Sequence, residues 1–243
     1  HIFDIRSFLD KFPQTQSNRY RSLLDLIFQY AIADGLAEEN PAAKTMKKKE
    51  KVKRQRLTIE GYQAILECAS IPIKNCMDLA LLTLQRREDL SCLQWSNIQK
   101  DCLCIVQKKT GGLVKITLTA ELKVVLSKCK DNVLSPYIIH QGFKTNKARR
   151  GKKLNPDSLS KGFAKARKES GYYDSLSTEE KPTFHEIRAL GAELFRKAKY
   201  PETLIQKLLG HRTQEMTRKY LDRHEIDWDG IEPIYAELNL KKL

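Results

Sequence analysis

Two short stretches near the end of the sequence carry side chains that could act together on a phosphate group. The first, TFHEIRALGAELF, begins at Thr183 and contains His185 and Arg188, three positions apart. The second, LLGHRTQEMTRKY, contains His211 and ends at Tyr220, nine positions later. These stretches therefore combine two imidazoles that can move protons, a guanidinium that stays charged and a phenol that could attack phosphorus.

Cleavage of a phosphodiester without a metal ion requires such a combination. Fixed cations must meet the oxygens that gain negative charge, a base must assist a phenol whose pKa is ordinarily about 10, and an acid must protonate the leaving oxygen. The sequence contains no DxE or HExxH motif, and we predict neither a metal nor a cofactor. A single helical His or exposed Tyr is usually structural, so this prediction depends on the combination.

The composition indicates a basic globular protein with a polyanionic partner. The 243 residues include 44 Lys and Arg against 30 Asp and Glu, which gives a net charge of +14. This excess favours nucleic acid over an anionic membrane surface, with a basic surface that binds nothing as the alternative. No apolar run reaches the roughly 18 residues of a transmembrane helix, so no membrane partner is expected.

The six cysteines do not form a recognisable metal or disulfide framework. None belongs to a CxxC pair and no His lies at zinc-finger spacing, so a zinc site has little support. Cys102 and Cys104 alternate with Leu103 and Ile105, as residues of a strand do. We predict six reduced thiols, packed in cores, in a cytosolic protein.

The chain divides by composition into three regions. Residues 1–43 contain two helix patterns, the second with Ser17 as its expected N-cap and Gly35 as its end. Residues 44–56, KTMKKKEKVKRQR, contain eight Lys or Arg and one acid, which predicts an extended linker that contacts DNA; a solvated charge run is the alternative. Residues 57–243 are expected to form a larger domain.

The larger domain is predicted to be mainly α-helical with a small antiparallel β-sheet, an α+β fold. The stretch LCIVQKKTGGLVKITLT predicts a β-hairpin around KKTGG, and NCMDLALLTLQ predicts a buried helix. Capping residues, Gly and Pro predict further helix ends. The expected starts are Thr58, Asp157 or Ser158, Thr183 and Tyr200–Pro201, and the expected stop is Gly210.

The order Arg … Lys … His-x-x-Arg … Gly-His … Tyr is similar to that of the tyrosine recombinases. The stretches TFHEIR, LLGHRTQEMTRKY and DWDGIEP resemble phage integrases of the lambda type, and the resemblance covers essentially the whole chain. It implies that residues 1–43 are part of a helical core-site-binding domain whose other helices lie upstream. It also implies that residues 57–243 form the catalytic domain with its C-terminal tail.

The box around the first arginine leaves a choice between two neighbours. In the family this box has the form Arg-x-x-acid-Leu, and RREDL matches it when Asp89 and Leu90 follow Arg86 rather than Arg87. The family often has Gly two residues before this arginine, whereas this chain has Leu84. That departure leaves the charge of the box unchanged.

The resemblance implies roles for the residues that hold the phosphate and release the leaving group. Arg86 and Arg188 would bind the scissile phosphate. Lys109, in the hairpin KKTGG, would protonate the leaving 5′-oxygen, with the adjacent Lys108 as its rival.

The resemblance also implies roles for the imidazoles and the phenol. His185 would take part in proton transfer with the tyrosine, and His211 would bond a phosphate oxygen. Tyr220 would be the nucleophile and would form a 3′-phosphotyrosine link that stores the bond energy, so that rejoining needs neither ATP nor metal.

The implied partner is double-stranded DNA bearing a core-type attachment site. The implied assembly is a homo-tetramer that passes through a Holliday junction, with DNA-bending host factors and an excision factor as further partners, in the cytoplasm of a bacterial host. Basic side chains of two segments are predicted to contact DNA: Lys47, Lys48, Lys49, Lys51, Lys53, Arg54 and Arg56, and then Lys147, Arg149, Arg150, Lys152 and Lys153.

Three other interpretations compete with a recombinase. A type IB topoisomerase uses much the same residues, but the LLGHR box and the integrase-like C-terminus argue against it. A DNA-binding accessory factor without catalysis is disfavoured because all six candidate residues are present. A basic α/β protein with a coincidental set is the remaining alternative. The tail GIEPIYAELNLKKL is expected to pack on its own domain or on a neighbouring protomer.

Overall fold

The structure is a computed structural model and describes residues 1–49, 54–142, 149–211 and 217. The chain divides into two compact units, His1–Lys53 and Arg54–Leu243. Several predicted residues lie outside the described ones, together with the C-terminal tail: Lys51, Lys53, Lys147 and Tyr220.

The first unit contains two helices, α1 (Ile2–Asp10) and α2 (Gln14–Ala33). Three aromatic rings join them, with Phe12 4.6 Å from Tyr20 and 5.1 Å from Phe8 between ring centroids. The prediction that Ser17 caps α2 is wrong. Pro13 occupies the N-cap and its carbonyl accepts the first helical bond from the Ser17 N–H at 2.8 Å, which leaves Ser17 buried inside the first turn.

The first residues of the predicted linker are bonded to α2. Arg21 donates to the carbonyl oxygens of Thr45 at 2.9 Å and Ala43 at 3.0 Å. Asn18 and the Lys48 backbone exchange two hydrogen bonds of 2.8 Å. Residues 43–48 therefore lie along α2 as part of the first unit.

In the part of the chain that the structure describes, the second unit contains six longer α-helices and one short one. They are α3 (Ile59–Cys68), α4 (Ile71–Thr83), α5 (Arg87–Leu90), α6 (Ala120–Lys128), α7 (Pro156–Ser170) and α8 (Glu186–Lys197), followed by α9 (Glu202–Leu209). The main core packs α4 against α6, α7 and α8, with Met77, Leu79, Phe163 and Ile187 almost completely buried. The apolar run that predicts a buried helix is α4, so this prediction is confirmed.

A three-stranded antiparallel sheet of order β1-β2-β3 completes this unit: β1 (Ile98–Gln99), β2 (Cys102–Val106) and β3 (Leu113–Thr117). Cys104 pairs with Lys115, so β2 and β3 form the predicted hairpin. The fold class is confirmed as mainly α-helical with a small antiparallel sheet.

Two of the predicted helix starts agree with the structure. Thr58 caps α3 by accepting from the Gly61 N–H at 3.0 Å, and Pro201 precedes α9. The prediction of Asp157 or Ser158 for α7 is wrong, because Asn155 caps the helix one residue before Pro156. Gly210 ends α9 in the left-handed conformation, as predicted.

The prediction that Thr183 starts α8 is also wrong. A turn in which the Glu186 N–H donates to the Thr183 carbonyl at 2.9 Å comes first, and His185 then stands at the N-cap. This later helix start places His185 at the N-terminal end of α8 rather than inside the helix.

All six thiols are free. The prediction that they lie in cores is right for Cys76 and Cys129 and wrong for Cys68, which is exposed at the end of α3. Within the described residues, no group of three or more His, Cys, Asp or Glu could hold a metal ion. None of the helices in the part of the chain that the structure describes is both long enough and apolar enough to cross a membrane.

Candidate functional site

A cleft of about 660 Å³ opens between the β2–β3 loop, the start of α5, α7 and the start of α8. Four of the predicted catalytic side chains line it: Arg86, Lys109, His185 and Arg188. Arg86 and Lys109 lie far from the other two in sequence. The packing of α4 against α8 brings Arg86, which follows α4, toward the start of α8. The cleft is therefore strongly cationic, as an anion site requires.

Arg86 and its neighbour differ in what they contact. Arg86 is the N-cap residue of α5, and its Nη1 donates to Gln107 Oε1 at 3.3 Å. Arg87 also lines the cleft, but its Nε donates to Glu88 Oε1 at 2.7 Å and its Nη1 donates to Ser160 Oγ at 2.5 Å. A carboxylate therefore neutralises Arg87, whereas Arg86 has a neutral amide partner.

Arg188 is almost completely buried on α8, with 1% of its surface exposed. Its two terminal nitrogens donate to the carbonyl oxygens of Leu84 and Leu209, which end α4 and α9. Helix C-termini carry partial negative charge, so both ends stabilise the buried guanidinium. Arg188 thus fixes the mutual position of three helices while it charges the floor of the cleft.

Leu84 stands where the family often has glycine, and its backbone explains that preference. Its φ is +56°, in the left-handed region that costs a side-chain-bearing residue about 1–2 kcal/mol. The Leu84 side chain is fully buried against Ala192, Ile205 and Leu209. Burial of this side chain therefore offsets the strain that glycine would avoid.

The two hairpin lysines are exposed but directed differently. The Lys108 N–H donates to Asp89 Oδ1 at 2.8 Å. A hydrogen bond to Cys92 raises the pKa of the Lys108 ammonium. Partial burial raises the pKa of Cys92, but the bonds with Lys108 and Ser91 outweigh it and leave that pKa below its ordinary value. Lys108 is thus associated with Cys92, whereas Lys109 affects the pKa of His185 across the cleft.

Both imidazoles lose protons more readily than ordinary histidines. Desolvation by the surrounding protein, followed by the charges of Arg188 and Arg86, lowers the pKa of His185 to about 4. The residue nevertheless keeps contact with solvent at the cleft mouth. Burial and the same two arginines lower the pKa of His211 to about 4. Each ring is therefore neutral near pH 7 and can accept a proton or offer a single N–H.

His211 follows Gly210 directly at the end of α9. Its backbone N–H donates to the Gln206 carbonyl at 3.1 Å, and its Nδ1 lies 3.2 Å from Thr217 Oγ1, which is completely buried. The charges of Arg188 and Arg86 contribute to the lowered pKa of His211, and Arg188 also donates to the carbonyl of Leu209, two residues before His211.

Two buried glutamines that the sequence analysis did not identify also contribute to the site. Gln107 Nε2 donates to Gln85 Oε1 at 2.7 Å, and both side chains are almost completely buried. Each stands beside a motif residue, Gln85 before Arg86 and Gln107 before the KKTGG loop. A polar residue at the end of a buried strand was the only signal for Gln107.

The basic residues predicted to contact DNA fall into two groups. Lys47, Lys49, Arg54, Arg149 and Arg150 are exposed, as are Lys152 and Lys153. Lys48 and Arg56 have carboxylate partners: Lys48 Nζ lies 2.9 Å from Asp10 Oδ1, and Arg56 Nη1 lies 2.8 Å from Glu186 Oε2. The second pair ties Arg56 to the first turn of α8, next to His185.

Comparisons with known proteins agree on one family. The model described as the phage integrase family matches residues 54–225. The integrase of Enterobacteria phage P21 is 38% identical over 199 residues, which are 78% of this chain and 51% of that protein. The chain thus spans about half the length of this curated relative.

Two solved structures are similar along nearly the whole chain. A lambda integrase(75-356) dimer bound to a COC′ core site is 33% identical, with a TM-score of 0.80, over 95% of this chain and 83% of that one. A lambda integrase tetramer bound to a Holliday junction is also 33% identical, with a TM-score of 0.77, over 94% of this chain and 65% of that one.

Proposed function

The chain belongs to the phage integrase family, and on this basis we propose that it is a site-specific DNA recombinase. It would cleave and rejoin DNA strands through a 3′-phosphotyrosine intermediate and a Holliday junction, and so integrate or excise a phage or other mobile element. The observation that carries the proposal is the single cleft lined by Arg86, Lys109, His185 and Arg188.

The two arginines would hold the scissile phosphate. Negative charge grows on the nonbridging oxygens as the bond order to phosphorus changes, and a cation fixed in advance stabilises that charge without reorganising. Arg188 is held between two helix ends and Arg86 by Gln107. Their positions are therefore set before DNA arrives.

His185 would accept the proton of the attacking phenol. Its lowered pKa keeps the ring neutral near pH 7, so it has a lone pair to offer. Tyr220 would then attack phosphorus, the new bond joining its oxygen to the 3′-phosphate as the bond to the 5′-oxygen breaks. A neutral base beside two guanidiniums is a weak base, and the bound phosphate would raise its pKa by offsetting their charge.

Lys109 would give its proton to the leaving 5′-oxygen. Both hairpin lysines are exposed and line the cleft, but Lys108 is bonded to Cys92. His211 would donate to a phosphate oxygen. A Thr217 hydroxyl that donates to Nδ1 would leave the proton on Nε2, the nitrogen then aimed at the phosphate.

The DNA substrate and the assembly follow from the same family. We propose that residues 1–43 belong to a core-site-binding domain, 44–56 to the interdomain segment and 57–243 to the catalytic domain. The printed descriptions of lambda integrase as a dimer on a core site and a tetramer on a Holliday junction support a homo-tetramer on duplex DNA. The reaction would take place in the cytoplasm of a bacterial host, with DNA-bending and excision factors as accessory partners.

The test uses supercoiled plasmid that carries the attachment junction of the element, in EDTA and without ATP. Wild-type protein should form SDS-resistant protein–DNA adducts, and Tyr220→Phe should form none. Adducts that persist in Tyr220→Phe would contradict the choice of nucleophile. Joining of two plasmids that both carry the site distinguishes a recombinase from a topoisomerase, which would only relax them.

The neighbouring arginines provide a matched pair of variants for the same assay. Arg86→Ala should slow adduct formation by about 10²–10³-fold, the usual effect of removing one group that stabilises the transition state. Arg87→Ala should keep most of the rate, because its charge is already neutralised by Glu88. If Arg87→Ala caused the larger loss of rate instead, Arg87 rather than Arg86 would be the phosphate-binding arginine of this motif.

A further inference from the structure

We infer that Gln85 and Gln107 are positioning residues that hold Arg86, the lysine hairpin and the His211 segment in one fixed arrangement. The inference rests on the proposed function, because it assigns a catalytic consequence to their contacts. The contacts themselves can be tested without any activity.

The two side chains form a buried chain of amide hydrogen bonds. Gln85 Nε2 donates to the carbonyl oxygens of Leu208 at 2.7 Å and Thr83 at 2.8 Å. Gln85 Oε1 accepts from Gln107 Nε2 at 2.7 Å, and Gln107 Nε2 also lies 3.5 Å from the Leu209 carbonyl. The end of α4, the end of β2 and the end of α9 are therefore connected through two side chains.

Gln107 also closes the loop that carries the lysines. Its N–H donates to the Gly112 carbonyl at 2.8 Å, and its carbonyl accepts from the Gly111 N–H at 2.8 Å. Its Oε1 accepts from Thr110 Oγ1 at 2.9 Å. The loop that contains Lys109 is thus bonded to Gln107 through both main chain and side chain.

The same Oε1 accepts from Arg86 Nη1 at 3.3 Å. One amide therefore contacts the phosphate-binding arginine on one side and the loop of the general acid on the other, while its nitrogen contacts the helix end that precedes His211. A shift of Gln107 would move all three relative to one another. Reactions that depend on several groups lose up to about 100-fold in rate from small misplacements.

Gly210 makes room for this arrangement. A Cβ at position 210 would lie 2.0 Å from Gln107 Oε1, so no side chain can occupy that position while Gln107 keeps its place. The chain thus reserves space at the end of α9 for the amide of another element. Specific packing of this kind is expected for a group whose position matters.

The experiment compares Gln107→Met and Gln85→Met with Gln99→Met. Methionine approximates the length of glutamine but lacks its hydrogen bonds, and Gln99 lies exposed on β1 of the same sheet. For each variant, hydrogen exchange is measured for residues 107–112 and 208–211. The adduct assay then gives the maximal rate at saturating protein and the protein concentration for half-saturation.

The inference predicts faster exchange of both segments together in Gln107→Met and in Gln85→Met, with little change in Gln99→Met. It also predicts a maximal adduct rate about 10- to 100-fold lower in the two buried variants, with half-saturation unchanged. Unchanged exchange in either segment, or a rate loss no larger than the loss of folded protein, would overturn it.

Gln107→Glu keeps the inference testable if the methionine variant does not fold. The glutamate retains both acceptor contacts, so the loop segment should stay protected while residues 208–211 exchange faster. Protection of 208–211 equal to wild type would contradict the inference. If wild-type protein forms no adduct, the proposed function fails, and the exchange data alone still decide whether the glutamines couple the two segments.

Discussion

At the scale of single residues, the cleft places two neutral imidazoles beside two permanent cations. Burial is the main reason why the charged form of either ring is disfavoured, and protonation would also add a third positive charge beside Arg188 and Arg86. The two imidazoles are therefore weak bases in a cleft whose arginines attract phosphate strongly. A bound phosphate would partly return that basicity at the moment when a base is needed.

NMR titration of the histidine rings should show both the lowered pKa values and their rise when a phosphate binds. In the free protein His185 and His211 should titrate near pH 4, so both are neutral above about pH 5. Addition of duplex DNA should raise both values, because a phosphate offsets the nearby guanidinium charges. Substitution of each His by Gln assigns the signals, and values near 6.5 in the free protein would contradict the cleft electrostatics.

Gly210 provides a second prediction at this scale. Gly210 and Gly171 both end helices with positive φ, +60° and +67°, so alanine should cost either site about 1 kcal/mol or more in backbone strain. Only at position 210 would the new Cβ also collide with Gln107, since Gly171 has its nearest neighbour at 3.8 Å.

Urea unfolding should accordingly show a larger loss of unfolding free energy for Gly210→Ala than for Gly171→Ala. In a double-mutant cycle, Gly210→Ala should cost less in a Gln107→Ala background than in wild type, because the colliding amide is absent. Equal losses in the two single variants would mean that Gln107 moves aside without cost.

At the scale of elements, apolar periodicity and punctuation by Gly and Pro were sufficient to predict most of the helices and the hairpin, but not α5, α6 or β1. Capping residues were less reliable. Ser17 and Thr183 are suitable N-caps by residue type, yet Pro13 and a preceding turn determine where α2 and α8 begin. Local residue type does not reveal which main-chain carbonyl will accept the first helical bond.

The site shows the same limit more clearly. The motifs that resemble those of the tyrosine recombinases were enough to select Arg86, Lys109, His185 and Arg188, which the structure brings to one cleft. Gln85 and Gln107 were not predicted because the partners that connect them to other elements lie 21 to 123 positions away in sequence. A buried amide is recognised by what it contacts, and those contacts exist only after α4, β2 and α9 have packed.

Two helical glycines test how closely the elements must approach. A Cβ at Gly191 on α8 would lie 2.6 Å from the Leu81 carbonyl oxygen and 2.5 Å from Leu84 Cδ2. A Cβ at Gly162 on α7 would meet only the Ile73 side chain, whose end lies at 2.5 Å and can rotate. Substitution of either glycine by alanine should stabilise its helix by about 1 kcal/mol, because alanine has the higher intrinsic helix propensity.

Gly191→Ala should therefore destabilise the protein by roughly 2 kcal/mol or more, since backbone cannot yield as a side chain can. Gly162→Ala should be within about 1 kcal/mol of wild type. Thermal and urea unfolding of both variants provide the measurement. A neutral Gly191→Ala would show that α8 can move away from α4, and adduct formation should then fall because Arg188 moves with it.

At the scale of the whole molecule, the net charge of +14 is spread over two compact units. Not every cation contributes equally to DNA binding. Lys48 and Arg56 already have carboxylate partners, whereas Lys47 and Lys49 are exposed. A cation that must leave an ion pair gains less from a phosphate than one that leaves only water.

The salt dependence of DNA binding should separate these two groups of cations. Each phosphate contact contributes about −0.9 to the slope of log K against log salt, so Lys47→Gln and Lys49→Gln should each reduce the slope by about that amount. Lys48→Gln and Arg56→Gln should change it by less than half as much.

Lys123→Gln, which removes an exposed lysine paired with Asp101, serves as the control. Fluorescence anisotropy of a labelled duplex over roughly 50 to 200 mM KCl supplies the slopes. Equal changes for all four basic residues would show that DNA displaces the carboxylates completely, and that the ion pairs of the free protein do not select which cations bind.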